Sequence, residues 1–323
     1  MTMTTVAFLL AVGLAQSGSQ TAKGTTGTDP DRHEALAVQV ALDRAGFSPG
    51  ALDGAMGANT KKALDAYRKA HGGEPPATEP LMTYQITEQD VAGPFEKIPE
   101  DLVDQAKLKS LGYRSALEML AERYHATPAL LQRLNPDAAF AAGEEIRVPN
   151  VDPMLIPAKN AGKGKPSGDT KKEKIQSEAG KPAEEPADVT VIVEKATSAL
   201  TVTDASGNVI MYAPVTTGSE KDPLPLGEWK VNGVGLQPEF RYNPDLFWDA
   251  DPAHTKALIP PGPNNPVGLV WIDISKEHYG LHGTPEPASI GRSESHGCVR
   301  LTNWDALRLA SLVKPGTMVV FRE

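Results

Sequence analysis

The sequence contains one cysteine, Cys298, in 323 residues. A single cysteine excludes an intramolecular disulfide, even in a compartment whose redox chemistry would permit one. A lone thiol in an oxidising compartment is open to damage unless it has a chemical task. The residues around Cys298 therefore indicate whether it is an inert buried thiol or a reactive one.

Excess positive charge and long apolar runs are also missing. The formal net charge is -9 and the sequence pI is about 5.4, which argues against binding of nucleic acid or an anionic membrane through bulk charge. The apolar stretch at residues 6–15 has ten residues, too few to span a bilayer, so we predict no transmembrane anchor.

The same stretch predicts a cleaved signal peptide within residues 1–20, because Gly13 and Ala15 are small residues of the kind found at cleavage sites. We therefore expect an exported protein of the periplasm or cell envelope. Residues 1–5 contain no Lys or Arg, which leaves open an apolar N-terminus without this role or a wrongly assigned start codon.

Residues 30–75 predict a small all-α unit, since apolar residues recur at helical spacing on two segments joined by a Gly-, Pro- and Asp-rich connection. The stretch resembles the three-helix peptidoglycan-binding module found beside many wall enzymes. The matching positions are Val38, Gln39, Leu42, residues 46–50, Asp53, Gly54, Gly57, Thr60, Ala63 and Tyr67. Tyr67-Arg68 replaces the family's usual Phe-Gln, and a generic helical hairpin is the alternative.

Residues 82–150 have a β, α, β order, from an alternating strand at Tyr84 and Ile86 to a second strand at residues 145–149. This α+β unit resembles a lysin motif that binds N-acetylglucosamine chains, with an insertion of about twenty residues after the first strand. A plain spacer domain is the alternative.

Residues 158–187 lack aromatic residues and predict a flexible linker.

Residues 189–323 predict a mainly β domain, because several segments show period-2 alternation. One helix is expected from an N-cap at Thr302 or Asn303 through Val313, where Pro315-Gly316 ends it. The strands are predicted at residues 189–193, 199–203, 209–215, 228–234, 267–274 and 317–321.

The chemistry is concentrated in residues 279–301, which include Cys298, His282 and His296. An imidazole that accepts the thiol proton makes cysteine a nucleophile, and the imidazole needs a third group to orient it. His282 precedes Cys298 by sixteen residues, enough to return on an adjacent strand, and His296 could support the site or compete as the base. Gly297 leaves room for a substrate carbonyl beside backbone N–H groups that could bind an oxyanion.

The segments HGT, SIG, SHGCVRL and NWDA within residues 282–306 closely resemble the L,D-transpeptidase catalytic domain, and the resemblance covers roughly residues 189–323. It implies a β-sandwich-like fold and attack of Cys298 on the bond between diaminopimelate at position three and D-Ala at position four of a peptidoglycan stem peptide. It further implies that His282 is the base, that the Gly283 carbonyl orients it, and that Arg300 and Ser295 bind substrate.

An amine then resolves the acyl-enzyme, either a second diaminopimelate, which gives a 3-3 crosslink, or a lysine of an envelope lipoprotein. Water as acceptor would make the protein an L,D-carboxypeptidase. A zinc site at His282, His296 and Cys298 is chemically possible, although no Cys pair or His-Glu-x-x-His motif supports it, and we expect no metal and no cofactor. A wall-binding structural protein with an inactive catalytic domain is a further alternative.

Overall fold

A computed structural model describes residues 30–156, 188–293, 295 and 297–323. The predicted signal peptide and the predicted linker at residues 158–187 lie outside this part of the chain, as does His296. Across the described residues, no helix has the length and apolarity needed to cross a bilayer.

The N-terminal unit has two helices, α1 (Pro30–Arg44) and α2 (Ala58–His71). Gln39 on α1 organises the loop between them, since its side chain bonds both Asp53 and the backbone N–H of Gly54 at 2.9 Å. We predicted a three-helix unit over residues 30–75, and this range, which the structure describes in full, has two helices. Gly72 ends α2 in the left-handed conformation (φ 74°), and the prolines that follow it cannot continue a helix.

The next unit has the β, α, β order expected from the sequence. Its two strands, β1 (Leu81–Gln85) and β2 (Glu145–Pro149), pair antiparallel, and Ser115 and Thr127 cap the second and third of its helices. The helices are α3 (Leu102–Gln105), α4 (Ala116–Arg123) and α5 (Pro128–Leu134).

The C-terminal domain is mainly β, as predicted, and its principal sheet has eight strands. The ten strands after residue 188 are β3 (Val189–Glu194), β4 (Ala199–Asp204), β5 (Val209–Pro214), β6 (Gly227–Leu236), β7 (Phe240–Tyr242), β8 (Ala257–Ile259), β9 (Val270–Ile274), β10 (Gly280–His282), β11 (Val299–Arg300) and β12 (Met318–Arg322). The large sheet has the order β11-β10-β9-β6-β12-β3-β4-β5, and β7 pairs with β8 separately.

This sheet curls around a single core. Helix α6 (Asn303–Leu312) begins at the predicted cap, where the Thr302 side chain accepts a hydrogen bond from Asp305 N. Trp304 and Leu309 of α6 belong to one buried cluster with residues from both halves of the sheet, such as Val202 and Ile272. A sandwich-like domain was expected, and the strands instead form one continuous curled sheet, because β6 pairs with β12 on one side and β9 on the other.

Both N-terminal units pack directly against this domain. Ser48 N and Tyr212 O are 2.9 Å apart, and Phe47, 1% exposed, stacks on the Tyr212 ring. The His125 ring stacks on Trp304 of α6 with centroids 5.0 Å apart. The flexible linker predicted at residues 158–187 suggested modules joined only by a tether, and such modules would lack these contacts. Both N-terminal units instead share buried surface with the C-terminal domain.

We predict that Phe47→Ala lowers the free energy of unfolding by about 3–5 kcal/mol, because it removes a fully buried ring between α2 and β5. Chemical denaturation followed by tryptophan fluorescence measures the change. Met56→Ala is the control, since Met56 is 39% exposed and should change stability by less than about 0.5 kcal/mol. An equal, small effect of both substitutions would contradict a structural role for this interface.

Candidate active site

The parallel pairing of β10 with β11 brings together the two ends of residues 279–301, where the candidate catalytic residues lie. Leu281 pairs with Val299, and His282 pairs with Arg300. In-register residues of parallel strands point to the same face of a sheet, and residues two apart along a strand do so as well. His282, Arg300 and Cys298, which directly precedes β11, therefore share one face.

His282 is 4% exposed and is oriented by the backbone. Its Nδ1 lies 2.7 Å from the Gly283 carbonyl oxygen. Because a carbonyl only accepts hydrogen bonds, Nδ1 carries the hydrogen and Nε2 keeps a free lone pair. The Trp271 ring stacks against the imidazole with 5.5 Å between the ring centroids, so the imidazole is held in position.

Burial and the nearby Arg300 lower the pKa of His282 to about 3, against a smaller opposite effect of the bond to Gly283. The imidazole is therefore neutral at physiological pH and able to accept a proton.

Cys298 is half-buried, and its Sγ lies 3.8 Å from the His278 carbonyl oxygen. Burial raises the pKa of the thiol, and a hydrogen bond from the Gly280 backbone and the charge of Arg300 oppose this. The resting site thus holds a protonated thiol and a neutral imidazole, and the thiol needs a base when it reacts.

The turn before the thiol depends on Gly297. Its φ is +100°, and a Cβ there would come within 2.6 Å of the Tyr279 ring. Only glycine fits both restrictions without strain.

Ser295 supports the backbone of the nucleophile. It is 4% exposed, its hydroxyl donates to the Cys298 carbonyl at 2.6 Å, and its N–H donates to Thr217 O at 3.0 Å. We expected Ser295 to bind substrate. In the structure its hydroxyl proton is used within the turn, where it braces the backbone of Cys298, and substrate binding by Ser295 stays a prediction.

Arg300 is held by its backbone, while its guanidinium stays available. Arg300 N donates to Thr216 O at 2.9 Å, and Thr216 N donates back at 3.0 Å. Among the described residues, the guanidinium has no carboxylate partner and no hydrogen-bond acceptor. A partly buried guanidinium in this condition is suited to a carboxylate of a ligand.

Three residues near the site received no role from the sequence: Trp271, Tyr279 and Asn303. Trp271 packs on His282, Tyr279 covers Gly297, and Asn303 bonds the backbone of Leu269. Asn303 lies inside the NWDA segment that carried the family resemblance, and Trp271 and Tyr279 lie within residues 189–323, the range that the resemblance covers.

Within the described residues, no group of three or more His, Cys, Asp or Glu side chains could hold a metal ion. His296, one member of the zinc trio considered from the sequence, is not among them.

A curled sheet with a cysteine and a histidine on one face carries the two groups that a thiol-dependent acyl-transfer enzyme uses. Residues 188–321 match the family model for YkuD, the L,D-transpeptidase catalytic domain. Over 143 residues the chain is 30% identical to the "Putative L,D-transpeptidase YqjB" of Bacillus subtilis, an alignment that covers 43% of this chain and 73% of that protein. The chain belongs to the L,D-transpeptidase family.

The chain is also 52% identical over 59 residues to the "Putative L,D-transpeptidase YkuD" of Bacillus licheniformis, which is 18% of this chain. The chain therefore spans 36% of the length of that relative, about a third. Among solved structures, the L,D-transpeptidase from Mycobacterium smegmatis is 20% identical, with a TM-score of 0.35 and coverage of 42% of this chain and 59% of that one.

The protonation states predict how the thiol reacts with pH. Because burial raises the pKa of Cys298, the thiolate fraction should rise about tenfold per pH unit between pH 6 and 8 without reaching a plateau. Alkylation by iodoacetamide, followed by intact-protein mass spectrometry, measures this, and Cys298→Ser is the unlabelled control. A rate that is flat from pH 5 to 8 would contradict this prediction, because the thiol proton would then be held by His282 at rest or taken by it during alkylation.

Proposed function

We propose that the protein is a peptidoglycan L,D-transpeptidase with Cys298 as its nucleophile and His282 as its base. Its donor substrate is a tetrapeptide stem, cleaved between the L-centre of diaminopimelate and D-Ala. The observation that supports this most is the parallel register of β10 and β11, which sets the histidine, the thiol and Arg300 on one face.

In the acylation step, Nε2 of His282 takes the thiol proton while Sγ forms a bond to the diaminopimelate carbonyl carbon. Backbone N–H groups near Gly297 and Cys298 receive the oxyanion. The C–N bond then breaks, and the proton on Nε2 passes to the nitrogen of the leaving D-Ala. A thioester between Cys298 and the shortened stem remains.

In the second step an amine attacks the thioester carbonyl and gives its proton to Nε2. The C–S bond breaks, an amide forms, and Nε2 returns the proton to the thiolate. The side-chain amine of a second diaminopimelate gives a 3-3 crosslink, the lysine of an envelope lipoprotein gives anchoring, and water gives an L,D-carboxypeptidase product.

Arg300 is proposed to bind the free carboxylate on the distal centre of diaminopimelate. The two oxygens of that group match the paired N–H groups of a guanidinium, which a lysine ammonium cannot reproduce. The lack of an internal partner for this side chain, among the described residues, supports this role over bracing of the turn.

A substrate of this kind places the enzyme in the cell envelope, in agreement with the predicted export signal. Binding of glycan by residues 30–75 and 82–150 stays a prediction from their resemblance to wall-binding modules.

The test of the function is mass spectrometry of muropeptides after incubation of purified wall fragments with the full chain. We expect loss of D-Ala and new 3-3 dimers with the wild type, and neither with Cys298→Ala or Cys298→Ser, because alanine has no nucleophile and a hydroxyl ionises far less readily. D-Ala release without dimers would favour hydrolysis. Dimers made by Cys298→Ala above the enzyme-free background would disprove the mechanism.

The role of Arg300 predicts a selective defect. Arg300→Ala and Arg300→Lys should raise KM about tenfold or more on stems with free diaminopimelate, which corresponds to about 1.5–3 kcal/mol for a hydrogen bond to a charged group. On stems with amidated diaminopimelate the two variants should resemble the wild type. A preference between the two substrates that stays unchanged, together with a lower Tm, would assign Arg300 to structure instead.

A further inference from the structure

Asn303, the first residue of α6, lies against the Gly283 turn that directly follows His282. It is fully buried, and its Oδ1 accepts a hydrogen bond from Leu269 N at 2.9 Å. A Cβ at either Gly268 or Gly283 would overlap this same oxygen. The Asn303 oxygen therefore lies in close contact with two backbone turns, one of which supplies the carbonyl that orients His282.

The amide of Asn303 is held from a different part of the chain. Its Nδ2 donates to Glu122 Oε1 at 2.8 Å and to Pro263 O at 3.2 Å. Glu122 is on α4, in the β, α, β unit, and is 7% exposed. Hydrogen bonds from Nδ2 fix which side of the amide faces the two glycines, because a flipped amide would place its NH₂ group against the N–H of Leu269.

The link to the chemistry is short. Gly283 O accepts the Nδ1–H of His282 at 2.7 Å, and Gly283 N donates to Val270 O at 3.2 Å. The position of this carbonyl decides which ring nitrogen carries the hydrogen, and so whether Nε2 is free to take the thiol proton. Contacts that move the Gly283 turn will move the base with it.

We propose that Glu122 is a positioning residue of the active site, contributed by the β, α, β unit, which locks the Asn303 amide under the Gly283 turn and so orients His282. The β, α, β unit then completes the catalytic domain in addition to any wall binding. The inference rests on the proposed role of His282 as the base. Burial also raises the pKa of Glu122 to about 7, so an uncharged side chain of the same shape is a fair replacement.

The experiment compares Glu122→Gln with Glu122→Met in the full chain. Glutamine keeps an oxygen that accepts from Asn303, whereas methionine has a similar volume and only a weak acceptor. We expect Glu122→Met to lower kcat about tenfold or more with KM unchanged, since small misplacements of a catalytic group have effects of this size. Glu122→Gln should keep kcat at the wild-type value.

Two measurements that need no peptidoglycan substrate accompany the kinetics. One is the rate of Cys298 alkylation, and the other is the NMR resonance of the His282 Nδ1–H, assigned by its loss in His282→Ala. Both should change in Glu122→Met and stay as in the wild type in Glu122→Gln. If the wild type yields no muropeptide product, the proposed function fails, and these two measurements still decide the inference.

Ser48→Ala is the matched control. Ser48 also crosses to α6, donating to Asp305 at 2.9 Å in a buried position, but it does not touch Asn303 or the glycine turns. It should lower Tm without changing kcat or the His282 resonance. Should Glu122→Met fail to fold, Glu122→Ala gives the same test with a smaller side chain. A folded Glu122→Met or Glu122→Ala with wild-type kcat, alkylation rate and His282 resonance would overturn the inference.

Discussion

The active site depends on one short piece of parallel pairing, between β10 and β11. Two register pairs are all that join these strands, yet they set the face on which the histidine, the arginine and the thiol emerge. β11 is also held on its far side, where Arg300 and Thr216 exchange two backbone hydrogen bonds. A two-residue strand fixed from both sides is rigid enough to position a nucleophile, because its backbone groups have no remaining freedom to pair elsewhere.

Burial then sets the resting chemistry. The same removal from water that lowers the pKa of His282 raises the pKa of Cys298, so both groups are neutral until substrate enters. Arg300 is a charged group on this face, and its pKa is lowered by the same burial. A neutral thiol is also a poorer target for oxidants than a thiolate, which suits a single cysteine in the proposed envelope enzyme.

The first turn of α6 connects the site to the rest of the molecule. Asn303 contacts the glycine turns of the catalytic domain and donates a hydrogen bond to Glu122. The Trp304 ring stacks on the His125 ring, and the Asp305 carboxylate accepts a hydrogen bond from the Ser48 hydroxyl. Three consecutive residues thus contact both N-terminal units and the base of the site. The Asn303 amide group and the Asp305 carboxylate each have a hydrogen-bond partner from another unit, so separation of the units would remove these buried hydrogen bonds.

The sequence by itself determined the reactive residue types, the long strands and the helix α6. Strands such as β3 have a period of two over six residues, and the cap at Thr302 is a local signal. β10 and β11 have three and two residues, too few for any period to appear. The sixteen-residue spacing of His282 and Cys298 suggested adjacent strands, and only the structure gave their parallel register. The curl of the sheet, the bracing role of Ser295 and the contact of Glu122 with Asn303 were decided by the tertiary structure alone. The last joins residues 181 positions apart, and a contact between side chains so distant in the chain leaves no local pattern, because only packing of the complete fold brings them together.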